Sequence, residues 1–239
     1  MPDEKSLIKG WINPLAFIPI ELPSTGKQEP IGPEDILSFL CQPGTPHEVE
    51  HLVERYKTIS AGPRLFVAPA ESKILERMVW PLRQAKTSYM VGNNLSVIAL
   101  CGLVGEMVAL LRWKLAKVQL NGHEMTESDE KTLFMRSFEK LGQERRVEVL
   151  KGYGIISSDD AQRFGTIRAS RKQYLHLWSH DHVDIEKDAV ACFNAASQLV
   201  IDTIGQDVKD GRILLNPRVL EYLTREGMVE ATEQPGNTP

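Results

Sequence analysis

The chain has 239 residues, 42% hydrophobic and 25% charged, with 28 basic and 32 acidic side chains and a net charge of −4. That composition excludes a collagen-like, mainly disordered or disulfide-stapled chain, and the length allows one domain or two. A net negative chain repels polyanions, so any nucleic-acid contact needs a local basic patch.

Residues Met1 to Lys9 are charged and contain no apolar signal core, which argues against secretion. Cys41, Cys101 and Cys192 are widely separated and form no CxxC, the pattern of free thiols in a reducing compartment. The expectation is a cytoplasmic protein. Eleven of the 14 prolines lie between Pro2 and Pro81, and none between Pro81 and Pro217. Proline breaks helix interiors, so the long proline-free stretch permits a helical bundle. Residues 1–70 read as a Pro-rich, partly extended region with short helices near Glu34 to Leu40 and Pro46 to Ile59.

Within that region, His47-Glu48-Val49-Glu50-His51 matches HExxH. On a helix, His47 and His51 lie one turn apart, as zinc ligands do, with Glu48 placed as general base and Glu71 as a third ligand for a zinc hydrolase. The plainer reading is an exposed amphipathic helix with Val49, Leu52, Val53 and Tyr56 inward. Pro46 puts His47 in a frayed first turn, Glu50 adds a charge, and too little chain precedes the motif to build a supporting sheet. No metal and no cofactor is assigned.

Apolar periodicity then places a helix over Glu71 to Val91, with Pro81 a kink candidate. Asn93-Asn94 supplies a break and an N-cap for a helix over Leu95 to Gln119. Its first part, LSVIALCGLVGEMVALL, is 17 residues long and contains Glu106. It is short for a membrane span and carries a costly charge, so it reads as a core helix, with Gly102 and Gly105 admitting a close neighbour. Thr126-x-x-Asp129 resembles a capping box opening a helix from Glu127 to Leu141. A short helix follows over Gln143 to Lys151, ended by Gly152 and Gly154. Ser157-Ser158 caps a helix to about Trp178, and Asp184 caps another from Ile185 to Lys209. Pro217 opens a last helix ending near Gly227. Residues 71–227 thus form an all-α bundle, and 228–239 a disordered tail.

The second candidate site lies in Ala161 to His180, which holds Arg163, Arg168, Arg171 and Lys172 and no acid. Arg168, Lys172, His176 and His180 recur every four residues and form one basic stripe, while Phe164, Ile167, Tyr174 and Leu175 offer an inward face. Such a stripe suits phosphate groups, although most charge runs are simply solvated. His180-Asp181-His182-x-Asp184 has metal-ligand residue types, but its spacing fits no zinc signature and Asp184 is better explained as a cap.

Around Arg171-x4-His176, the string RVEVLKGYGIISSDDAQRFGTIRASRKQYLHL resembles the HEPN-like helical-bundle family, most closely its mannitol-repressor-like branch. There a short helix, a glycine-containing turn ending in an apolar pair, an acidic helix start and an IRxxRNxxxH segment follow in order. Here these are Arg146 to Lys151, Tyr153 to Ile156, Asp159-Asp160, and Ile167 to His176. Gly105-Glu106 on the upstream helix suits the family's first long helix, and the likeness covers Leu95 to Ile204. Lys172 departs from the family's Asn, Asp or His at that position, which orients the other groups in active members.

The resemblance implies an HEPN-like bundle, a homodimer, and nucleic-acid-associated binding or regulation of the defence or stress kind, with RNA or another nucleic acid as partner. Its alternative is a metal-independent endoribonuclease. In that case His176 acts as general acid or base and Arg171 stabilises phosphoryl charge. Arg163, Arg168 and Lys172 hold the backbone, and Tyr174 stacks on a base. Residues five apart lie about 140° apart on an ideal helix, so Arg171 and His176 converge only if the helix frays or a second subunit completes the site.

Overall fold

The computed structural model describes residues 49–63, 73–175, 182–205, 207–209, 212–214 and 216–226, with backbone alone at 49–50, 73–76, 207–209 and 212–214. The chain divides into a unit over Met1–His47 and another over Glu48–Pro239. The first, including the helix expected near Glu34 to Leu40, lies outside the described residues, as does the tail.

Eight α-helices dominate the described chain, so the all-α expectation holds. Helix α1 spans Val49–Ser60, α2 Lys73–Met90 and α3 Asn94–Ala116. They are followed by α4 (Glu127–Phe134), α5 (Gln143–Gly152) and α6 (Ser158–Tyr174), then by α7 (Ile185–Ile204) and α8 (Pro217–Arg225). Local side chains explain most starts. The Asn93 side chain accepts from Ser96 N at 3.1 Å and opens α3. Thr126 and Asp129 form a reciprocal capping box on α4, and Ser157 and Asp160 form another on α6. Asn216 caps α8, with Pro217 at its first turn. Asp184 precedes α7 but makes no capping side-chain bond. Helix α2 runs through Pro81.

Several ends come earlier than the periodicity suggested. Helix α3 stops at Ala116, and strands β1 (Gln119–Leu120) and β2 (His123–Glu124) pair antiparallel around Asn121-Gly122. Both turn residues have positive φ, 51° and 84°, the conformation an Asn-Gly hairpin turn favours. Helix α4 ends at Phe134 with Met135 left-handed, not at Leu141, and a 3-10 turn over Phe138–Lys140 follows. Helix α7 ends at Ile204 because Gly205 takes a left-handed conformation (φ 63°). Asp207–Lys209, expected to continue it, instead form strand β3, which pairs antiparallel with β4 (Arg212–Leu214).

Helices α3 and α7 form the central pair, with α2 and α6 each packed against both. This explains why α3 is apolar nearly all round: eleven of its 23 residues are buried. Among the described residues it is the one helix long and apolar enough to cross a membrane, but its burial against neighbours fits a core helix. Cys101 of α3 and Cys192 of α7 are buried free thiols. A hydrogen bond from one to the other, with burial, pushes Cys101 well above the ordinary thiol value.

Helix α1, assigned by sequence to the region 1–70, packs on the bundle. Arg55 clasps it there: Nε donates to the Tyr89 carbonyl at 2.6 Å, Nη1 to Glu186 at 2.7 Å and Nη2 to Asn94 Oδ1 at 3.0 Å. The Tyr89 hydroxyl donates to the same Glu186 carboxylate at 3.0 Å, and burial together with that bond pushes the phenol up to about 12. Val53 and Tyr56, expected inward, are about half exposed, whereas Ile59 is buried. Helix α1 meets the bundle along its Arg55–Ile59 edge instead.

The most buried ion pair among the described residues lies inside the bundle. Arg112 of α3 donates through Nη1 to Asp160 Oδ2 at 2.6 Å and through Nε to Thr203 Oγ1 of α7 at 2.8 Å. Arg163 reaches from α6 to both Asp160 and Asp202. Burial alone would raise the Asp160 carboxyl, but the hydrogen bonds and charge of Arg112, helped by Ser157, outweigh it and hold the group below its ordinary value. A depressed carboxyl stabilises the fold fully above its unfolded value, near pH 4, and loses that contribution as pH falls through the lower folded value. Asp160→Asn leaves Arg112 buried without its countercharge. It is expected to cost about 3–5 kcal/mol in urea unfolding at pH 7 and to flatten the loss of stability below about pH 4. An unchanged acid-side slope would contradict this assignment.

Candidate nucleic-acid interface

The basic stretch becomes the C-terminal half of α6. Phe164, Ile167 and Tyr174 are buried as expected, but Leu175 is 40% exposed and lies beyond the helix end. The Leu175 N–H donates to the Arg171 carbonyl and closes the last turn. His176, His180 and Asp181 lie outside the described residues, so the Arg171–His176 pair and the 180–184 metal pattern have no described geometry. The same holds for His47 and Glu48, while His51 is exposed on α1. His182 is exposed, with its ring edge-on to Tyr174 at 5.8 Å. No group of three metal-ligating side chains occurs among the described residues.

Arg171 is seated on α3. A Cβ on Gly102 would stand 2.2 Å from Arg171 Cδ and 2.6 Å from its Nε, so the side chain lies directly over bare backbone. One turn along, the space above Gly105 is taken by the Gln143 amide and Ile167. The two glycines are thus the notches that the sequence suggested, and α6 and the start of α5 are the neighbours. Arg171 Nη1 donates to Glu106 Oε1 at 2.6 Å and to Gln143 Oε1 at 3.2 Å. Arg168 pairs with Glu144 through Nη2. Lys172 is exposed and forms no ion pair among the described residues. Tyr174 is buried, and its hydroxyl donates to Asp188 at 2.7 Å. That ring therefore serves the core and offers no face to a base. Arg163, engaged by Asp160 and Asp202, belongs to the bundle's internal tie.

Gly142, Gln143 and Glu144 from the start of α5 join Arg168, Arg171, Lys172 and Leu175 from the end of α6 to line one open groove of about 530 Å³. Gly142 caps α5 with no side-chain bond, which leaves the first amides of that helix without a side-chain acceptor at the N-cap. The buried Gln143 Nε2 also lacks a partner. Each arginine commits one terminal nitrogen to a carboxylate, so guanidinium donors remain. A second cleft of about 500 Å³ lies at the end of α3, lined in part by Arg112, Lys117 and Arg218. There Arg112 and Lys117 are already paired with Asp160 and Glu221.

Sequence reading missed Glu106 as the partner of Arg171 and Arg112 as the partner of Asp160, and it did not bring Gln143 into the site. These contacts join residues 65, 48 and 28 positions apart, beyond any local pattern. No family model, no curated protein and no solved structure matches this chain.

The seat of Arg171 makes a prediction with a change of sign. Gly102→Ala alone forces the arginine off α3 and is expected to destabilise the protein by about 1–3 kcal/mol. In an Arg171→Ala background the three nearest atoms are gone, and alanine's helix preference is expected to make the same change stabilising by about 1 kcal/mol. Urea unfolding of the four variants measures both values. Equal effects of Gly102→Ala in the two backgrounds would remove the contact.

Proposed function

We propose that this is an HEPN-like protein of the cytoplasm that binds nucleic acid through phosphate contacts in the α5–α6 groove and acts as a binding or regulatory module. The observation that carries the reading is the meeting, in one open groove, of three cationic side chains with the uncapped start of α5. A helix N-terminus and guanidinium groups both favour phosphate oxygens. Support for the family reading comes from the quoted string, whose order of elements is matched by α5, the turn at Gly154, the capped acidic start of α6 and the approach of α6 to Gly105-Glu106 on α3. Support for the cytoplasm comes from two buried free thiols. In this reading the protein is a homodimer, and a second copy extends the groove.

Binding is favoured over ribonuclease chemistry by one lining residue, Lys172, which stands where active members of the resembled family carry an orienting Asn, Asp or His. Glu106 and Glu144 temper the positive charge, so the affinity rests on few phosphate contacts and is modest and salt-sensitive.

The test is fluorescence anisotropy with labelled single-stranded RNA in EDTA. Lys172→Glu is expected to weaken binding at least tenfold at low salt and to reduce the slope of log K against log salt by about 0.7 or more. RNA that stays intact supports the binding role. Cleavage that disappears in His176→Ala would replace it with the nuclease. Binding indifferent to Lys172→Glu and Arg168→Glu would place the nucleic-acid contact elsewhere.

A further inference from the structure

The arginines of the groove and of the bundle interior face carboxylates. The outer face of α2 is different. Arg77 and Arg83 are exposed, Lys86 is half-buried, and none of the three forms an ion pair among the described residues. From Arg77 to Met90 the sequence has no acid at all. Between the cations stands Trp80, 53% exposed, and beside them Tyr56 of α1, 47% exposed. Arg83 lies with Cζ 6.0 Å from the Trp80 ring centre, and Lys86 Nζ lies 4.1 Å from that of Tyr56. Arg77, Trp80, Arg83 and Lys86 follow one another at three-residue steps, each about 60° round from the last, so they wind halfway around α2 over about 14 Å with Trp80 and Arg83 in the middle and Arg77 and Lys86 on opposite flanks.

Trp80 thus stands as an exposed indole among cations that form no ion pair among the described residues. The apolar side of α2 is already used, since Met78, Leu82, Ala85 and Tyr89 are buried in the core. Lipid would need a contiguous apolar face to sink into, and this row alternates rings with charges. An acidic peptide would satisfy the cations and leave the rings idle. A single nucleic-acid strand uses both, because its bases have π-faces and its phosphates are spaced along the backbone.

We propose that the outer face of α1 and α2 is a single-stranded nucleic-acid docking surface. Trp80 and Tyr56 are its stacking platforms, and Arg77, Arg83 and Lys86 are its phosphate contacts. It shares no residue with the α5–α6 groove and stands whether or not that groove takes a phosphate.

The experiment uses the full chain, with a fluorescein-labelled oligothymidylate followed by anisotropy and by intrinsic tryptophan fluorescence. Binding is expected to quench tryptophan emission. Trp80→Ala should abolish most of the quench and weaken binding about tenfold or more. Arg83→Glu with Lys86→Glu should lower the salt slope by about 1.4. Trp80 and Arg83 are exposed and Lys86 is half-buried at the flank, and circular dichroism verifies that the variants fold. In Lys172→Glu, which reports on the groove, the Trp80 quench should persist, so failure of one site is separable from failure of the other. An oligonucleotide affinity unchanged by both α2 variants would overturn the proposal. So would binding of phosphatidylserine vesicles or polyglutamate in place of the oligonucleotide, or self-association lost in Trp80→Ala with no oligonucleotide bound.

Discussion

The antiparallel seam between α3 and α6 fixes where the basic end of α6 emerges. Asp160 meets Arg112, Ile167 meets Gly105, and Arg171 meets Gly102, so each advance along α6 answers a similar retreat along α3. An ion pair clamps one end, glycine notches let the middle close, and a second ion pair to Glu106 fixes the other. Arg112 is nearly buried and meets its desolvation cost with Asp160 and Thr203, whereas Arg171, about a third exposed, is held by Glu106 and Gln143. The register of α6 therefore also decides where its C-terminal cations emerge. They emerge opposite the start of α5, and the groove is a consequence of the seam.

Charge is distributed unevenly by the same packing. A solvent-facing arginine is free to meet a ligand, whereas one at a helix junction is drawn to the nearest carboxylate. Arg163, which looked equivalent to Arg168 in sequence, sits at the junction of α6 and α7 and is occupied twice over. Arg168 and Arg171 are each partly occupied. Lys172 and the cations of α2 are unpaired among the described residues. The electrostatic weight of the surface thus shifts from the stripe that the sequence made conspicuous toward a face where the cations are interleaved with rings.

Much of the fold was legible because caps are local. Asn93, Thr126 with Asp129, Ser157 with Asp160, and Pro217 each act within three residues, and each opens the helix expected of it. The hairpin at Asn121-Gly122 was also legible but was overridden by the apolar periodicity running into it, as was the stop at Gly205. Tyr56 and Val53 were misplaced because α1 turns a polar residue, Arg55, toward its neighbours, and no hydrophobic pattern signals that. The notches at Gly102 and Gly105 were visible as small residues, yet what fills them was not, because Arg171 arrives from 69 residues away in the chain.

The phosphate-binding role proposed for the groove at the start of α5 rests on the α3–α6 seam. Backbone amide shifts in a ¹⁵N-labelled sample titrated with a short single-stranded oligonucleotide test it most directly. Saturable shifts are expected at Gln143, Glu144, Lys172 and the Arg171 side-chain N–H, with the Asp160–Arg112 end of the seam unmoved. Saturation of the protein with those resonances silent would contradict it.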